Sequence, residues 1–130
     1  MQLAVIVDDE GHVRKLATII FTRAGFETIC AASGDEALGI FEAGADVAVL
    51  FTDCDMPKMK GPELAAIVRD RWPHVKIMLT SGKPFESDEM PSGAEFVHKP
   101  FRPSTLVPRL KEIADALSIQ RGESPEQDCA

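Results

Sequence analysis

Five short apolar runs are spaced along the chain: Leu3–Val7, Phe26–Ala31, Val47–Thr52, Val75–Thr80 and Ala94–His98. Unbroken apolar runs rich in β-branched residues suit strands covered on both faces, as in a parallel sheet. The segments between them have the helical period. Val13, Leu16, Ala17, Ile20 and Phe21 fall at i, i+3, i+4, i+7 and i+8, which predicts an amphipathic helix stopped by Gly25. Ser33-Gly34-Asp35-Glu36 is a capping box that opens a helix carrying Ala37, Ile40 and Phe41, and Gly44 ends it. Pro62 suits the first turn of a third helix with Leu64, Ile67 and Val68 as its buried stripe, and Trp72-Pro73 stops it. Leu106, Leu110, Ile113 and Leu117 mark a long last helix in which Pro108 sits early, where a missing N–H costs least. From Lys83 to Gly93 the chain is polar and acidic and holds Pro84 and Pro91, so any helix there is short. Five βα units in 130 residues imply an α/β fold: one doubly wound parallel sheet with helices on both faces and right-handed crossovers. One domain is expected over residues 1–119, followed by a flexible polar tail over 120–130.

In such a sheet a ligand binds beyond the carboxyl ends of the strands, where the strand order switches. Asp8 and Asp9 end the first strand, Asp53 the third, Thr80 the fourth and Lys99 the fifth. Three carboxylates at one edge repel one another unless a hard cation neutralises them, and Mg²⁺, which takes oxygen ligands, fits. A carboxylate can attack phosphorus to give an aspartyl phosphate. Mg²⁺ and Lys99 would offset charge on a transferring phosphoryl group, and Thr80 could donate to one of its oxygens. Taken singly these residues have plainer uses: Asp9 as a helix cap, Thr80 as a capping hydroxyl, Lys99 as a solvated charge, Cys54 as a small buried hydrophobe and His98 as a strand-end residue. Their joint placement at four of five strand ends is what favours chemistry.

The formal net charge of −7 argues against a grip on nucleic-acid phosphates or an anionic membrane surface. No apolar run approaches the roughly 18 residues of a membrane-spanning helix, and Leu3–Val7 is too short and lacks the basic flank of a signal peptide. Cys30, Cys54 and Cys129, without CxxC spacing, give neither a disulfide framework nor a zinc site, so the reducing cytoplasm is the expected compartment.

Four motifs in this order resemble the receiver domain of two-component response regulators: Val7-Asp8-Asp9-Glu10, Phe51-Thr52-Asp53-Cys54-Asp55-Met56-Pro57 running on to Gly61, Leu79-Thr80-Ser81-Gly82, and Phe96-Val97-His98-Lys99-Pro100-Phe101. The resemblance spans essentially residues 2 to 118, and the second and third motifs look like those of receivers found in or beside hybrid histidine kinases. It implies a flavodoxin-like (βα)5 sheet of strand order 2-1-3-4-5. It makes Asp53 the phosphoacceptor, and Asp8, Asp9, Asp53 and the backbone carbonyl of Asp55 the Mg²⁺ ligands. Thr80 becomes the switch hydroxyl, Phe96 the aromatic that couples to it, and Lys99 the partner of the phosphoryl oxygens, often after a cis Lys99–Pro100 bond. The implied partners are a histidine kinase or a histidine phosphotransfer protein and an unidentified downstream protein, with no nucleic acid and no membrane. Three departures stand out: Asp55 adds an acid two residues past the acceptor, where the family tunes dephosphorylation; Ser81 replaces a commoner alanine; and the Thr80–Lys99 interval is short, which points to a stunted fourth helix.

The leading expectation is therefore a stand-alone phosphoacceptor, not an enzyme in the usual sense. Two other classes compete. Asp53-Cys54-Asp55 is a DxD after an apolar strand, as in haloacid-dehalogenase-like phosphatases; but that motif normally ends the first strand, Met56 is unexpected there, and no acid follows Lys99 until Glu112. A phosphorylation-independent interaction module would need a degraded pocket, whereas Asp8, Asp9, Asp53, Thr80 and Lys99 are all present.

Overall fold

All five apolar runs pair as parallel strands in a single sheet. The computed structural model describes residues 2–83 and 91–120. In chain order the elements are β1 (Gln2–Val7), α1 (Gly11–Arg23), β2 (Phe26–Ala31), α2 (Gly34–Glu42), β3 (Val47–Asp53), α3 (Gly61–Arg71), β4 (Lys76–Ser81), β5 (Glu95–His98) and α4 (Pro103–Gln120). The sheet order is β2-β1-β3-β4-β5, with every neighbouring pair parallel. The central strands are the most buried: every residue of β3 is inaccessible, as a strand with both faces covered must be. The proline-bearing segment 84–90 and the tail 121–130, where a short helix and a flexible end are expected, lie outside the described residues. Among the described residues no helix is long and apolar enough to cross a membrane.

Side-chain alternation divides the core into two clusters. Ala4, Ile6, Val49, Phe51 and Met78 face α1 and α4; Val5, Val7, Leu50, Ile77 and Leu79 face α2 and α3. The first cluster is braced by aromatic rings in edge-to-face contact. Phe26 meets Phe21 at 5.5 Å, Phe21 meets Phe51 at 5.1 Å, and Phe51 meets Phe101 at 5.5 Å. Each such pair contributes about 1 kcal/mol beyond its buried area. At the far end of the second cluster the Trp72 ring lies 4.9 Å from Phe41 and beneath the Arg71 guanidinium at 4.4 Å.

Local signals act as their chemistry requires. Ser33 Oγ accepts the Glu36 N–H at 3.2 Å and caps α2. Gly25 and Gly44 follow α1 and α2 with φ of +95°, a conformation that only glycine adopts freely. The structure departs from the sequence reading at three places. Leu16, expected in the buried stripe of α1, is 39 % exposed; the stripe is Ala17, Ile20 and Phe21, and Leu16 lies on its flank, lining an open apolar recess with Val13, Pro100 and Phe101. In α3 the buried set is Leu64, Ala65 and Val68, with Ile67 half-buried at its margin. Pro108 lies inside α4. It sits past the first turn, so its missing N–H leaves the Ser104 carbonyl without the usual helical partner.

The turn between β3 and α3 is closed by backbone contact. Gly61 N–H donates to Cys54 O at 3.1 Å, and a Cβ on Gly61 would overlap the Asp53 carbonyl oxygen and stand 2.8 Å from Cys54 Cα. Lys58, in the same turn, has φ of +65°. Gly61→Ala is expected to destabilise the fold by about 3 kcal/mol, since backbone cannot yield as a side chain can. Gly39→Ala, in α2 with nothing within 4 Å of its Cβ, should instead stabilise by about 0.7 kcal/mol. Urea unfolding of the two variants measures both; a tolerated Gly61→Ala would show that the turn is not held as described.

Candidate functional site

The strand order reverses between β1 and β3, and the acids meet there. Asp8 follows the last residue of β1, Asp53 ends β3, and Thr80 is the register partner of Asp53 on β4. Alternation from Ile6, Phe51 and Met78 puts all three side chains on the α1/α4 face. Lys99 comes in from the loop after β5. Its Nζ lies 3.0 Å from Asp8 Oδ2 and 3.1 Å from Asp53 Oδ1, so one ammonium bridges two carboxylates from different strands. The Lys99–Pro100 bond is cis, and the loop is anchored by Phe101, which packs edge-on against Phe51, two residues before Asp53.

Both carboxylates are sealed, Asp8 at 2 % and Asp53 at 3 % exposure. Burial is the largest influence on Asp53 and pushes its pKa up. The Asp8 charge adds to that; the hydrogen bond and charge of Lys99 and the Asp55 backbone N–H oppose it without cancelling it. Burial acts against the Lys99 ammonium too, but its contacts with Asp8 and Asp53 prevail and hold its pKa above the usual lysine value. Among the described residues the pocket thus sets two buried carboxylates against one ammonium.

The other residues singled out in the sequence surround this pair. Asp9 and Glu10 are exposed, with carboxylate oxygens within 4.8 Å of those of Asp8. The cap position of α1 is Glu10, without a side-chain cap, and Asp8 Oδ1 accepts the Glu10 N–H at 2.9 Å. Thr80 is 1 % exposed, and among the described residues its hydroxyl has no hydrogen-bond partner. Asp55 stands on the rim, where its Oδ2 accepts the Ser81 hydroxyl at 2.7 Å. Phe96 pairs with Leu79 and packs against the α2/α3 cluster, its ring edge-to-face with His98 at 4.6 Å. It therefore lies on the sheet face opposite Thr80. Cys54 is buried in the same cluster and His98 is exposed at its strand end, both as their plainer readings have it.

Three contributors escape a reading by residue type. Arg14, one turn into α1, donates to the Asp8 carbonyl at 2.7 Å and so fixes the turn that presents the acids. Glu10 joins the acid group. Ser81 binds Asp55. Arg14 and Glu10 carry a weak signal, being a basic and an acidic residue near the Asp8-Asp9 pair; Ser81 stands out as a departure, but its partner is set by the path of a loop.

Residues 4–111 match the family described as the response regulator receiver domain. Over 116 residues the chain is 30 % identical to a chemotaxis protein CheY homolog of Campylobacter jejuni, covering 84 % of this chain and 89 % of that protein. The fold is that of the receiver domain of the hybrid histidine kinase CckA, with a TM-score of 0.73 and 32 % identity over 85 % of this chain and 97 % of that one. It is also that of the response regulator TrrA of Thermotoga maritima in complex with Mg²⁺ and BeF, with a TM-score of 0.77 and 30 % identity over 87 % of this chain and 99 % of that one. A match across this much of the chain, on a sheet ordered 2-1-3-4-5, makes it a member of the response regulator receiver domain family of two-component signalling.

Proposed function

We propose that the chain accepts a phosphoryl group on Asp53 from the phosphohistidine of a histidine kinase or a histidine phosphotransfer protein, in the cytoplasm, and signals by the conformational change that follows. The observation that carries this reading is the bridge of Lys99 between buried Asp8 and Asp53 at the sheet's switch point. An Asp53 oxygen attacks phosphorus, the N–P bond of the donor breaks, and the imidazole keeps the electron pair. Lys99 then stabilises charge on the phosphoryl oxygens from the position it already holds. Thr80 brings a donor that, among the described residues, has no competing bond, beside the acceptor and sealed from water. Donation to the new phosphoryl group would draw the end of β4 inward, and Phe96, one register step away on β5, is the residue we expect to follow.

The donor set fits Mg²⁺: oxygen ligands only, two of them buried, with net negative charge left after Lys99 is counted. Asp8, Asp9, Asp53 and the Asp55 carbonyl would hold it, with Glu10 at the margin, and it would screen the acceptor's charge from that of the incoming phosphoryl group. The Asp55 carboxylate is engaged by Ser81 rather than free to act as an acid–base, which speaks against the phosphatase reading.

Three outcomes are expected. Acetyl phosphate with Mg²⁺ should add one phosphoryl group, detected by mass, and Asp53→Asn should take none; an equally labelled variant would refute the acceptor assignment. The same variant should melt higher than the wild type at neutral pH without Mg²⁺. The pKa of Asp53 is raised in the fold, so its ionised form opposes folding, and removing the charge relieves that cost. The gain should shrink as pH falls through the acid range and the wild-type carboxyl takes up its proton. Thr80→Val should keep the label and gain about 1 kcal/mol of stability, because it removes a buried hydroxyl that has no partner among the described residues. It should also lose the conformational response to beryllofluoride, which stands in for the phosphoryl group; amide exchange reads that response.

A further inference from the structure

Ser81 follows Thr80 along β4, and alternation sends its side chain to the opposite, α2/α3 face of the sheet. It is 3 % exposed. Its hydroxyl donates to Asp55 Oδ2 at 2.7 Å and accepts the Lys83 N–H at 3.1 Å, so both of its hydrogen-bonding roles are used. The bond joins a strand end to a loop: Ser81 ends β4, whereas Asp55 stands on the exposed turn between β3 and α3. That turn already leans on β4 once, through Cys54 N–H to Thr80 O at 2.9 Å. The Ser81 bond is its second tie, made to a charged acceptor and therefore among the stronger kinds. Asp55 also has Lys83 Nζ at 3.8 Å, but that side chain is 77 % exposed and adds little. The Asp55 backbone N–H meanwhile is near enough to the Asp53 carboxylate to favour its ionised form. One residue thus touches the acceptor with its backbone and β4 with its side chain.

We propose that Ser81 is a positioning residue for the cation site: by holding the Asp55 carboxylate it fixes the Asp55 peptide, keeping its N–H on Asp53 and its carbonyl oriented for a divalent metal. The inference rests on the phosphoacceptor reading and adds a residue that acts only through another. A serine that merely filled space would show no dependence on what stands at position 55.

The test measures Mg²⁺ binding by calorimetry on the full chain, beside the Mg²⁺ dependence of labelling by acetyl phosphate. Ser81→Ala should weaken Mg²⁺ binding about tenfold, the scale expected when a partner that orients a metal ligand is lost. The Mg²⁺ concentration for half-maximal labelling should rise in step, while the rate at saturating Mg²⁺ stays near the wild-type value. Asp55→Asn keeps an acceptor oxygen for Ser81, so adding Ser81→Ala to it should again weaken binding. Asp55→Ala removes the acceptor, so adding Ser81→Ala to it should change nothing further. Unaltered Mg²⁺ affinity in Ser81→Ala overturns the proposal. So does an equal loss in the Asp55→Ala background, which would route the effect through the Lys83 loop. A wild-type chain that binds Mg²⁺ yet takes no label would refute the phosphoacceptor reading instead, and the calorimetric comparison would still decide the role of Ser81.

Discussion

Two buried carboxylates share one ammonium, and the architecture around them follows from that arrangement. Asp8 and Asp53 come from adjacent strands and would drive the ends of β1 and β3 apart if left to themselves. Lys99 reconciles them from a third direction at 3.0 and 3.1 Å. A lysine placed by a loop could wander, so its anchoring matters as much as its charge. Phe101 ties that loop to Phe51 on β3, and through Phe21 and Phe26 to the far edge of the sheet. The aromatic row is thus part of the electrostatics: it sets where the positive charge stands. Even so, burial keeps the pKa of Asp53 raised, so its ionised form opposes folding.

The two faces of the sheet divide the work at its carboxyl edge. Asp8, Asp53 and Thr80 turn toward α1 and α4, on the side where Lys99 meets the two acids. Ser81, Cys54 and Phe96 turn toward α2 and α3. A change in the position of β4 is therefore felt on both faces at once, as the hydroxyl of Thr80 on one and the Asp55 contact of Ser81 on the other. Parallel strands make this possible, because alternation converts neighbours in sequence into neighbours of different layers.

The strands, the helices and the acid edge are legible in the sequence because each depends on local pattern. Asp8, Asp53, Thr80 and Lys99 stand immediately after or at the end of apolar runs, and in a parallel sheet that position has only one spatial meaning. What sequence reading misses depends on path rather than pattern. Leu16 has the spacing of a buried residue, yet it stands on the flank of α1, where the stripe leaves the sheet behind. Pro108 falls one turn deeper into α4 than its place among the apolar residues suggests. The Arg14 bond to the Asp8 carbonyl and the Ser81 bond to Asp55 each join residues whose meeting is decided by how a loop closes. That closure turns on contacts such as Gly61 against Asp53, which residue type alone does not announce.

Trp72 is the single tryptophan of a chain without tyrosine. It ends α3, which runs back along the sheet from the turn after β3, and it is held between Phe41 and Arg71. Its indole therefore lies at the opposite pole from Lys99 and cannot be quenched directly by groups at the acid edge. Intrinsic fluorescence in this protein is a long-range reporter. An emission change on loading Asp53 would mean that a displacement had travelled the length of α3 or the sheet, and a silent tryptophan would mean that the response stays at the carboxyl end.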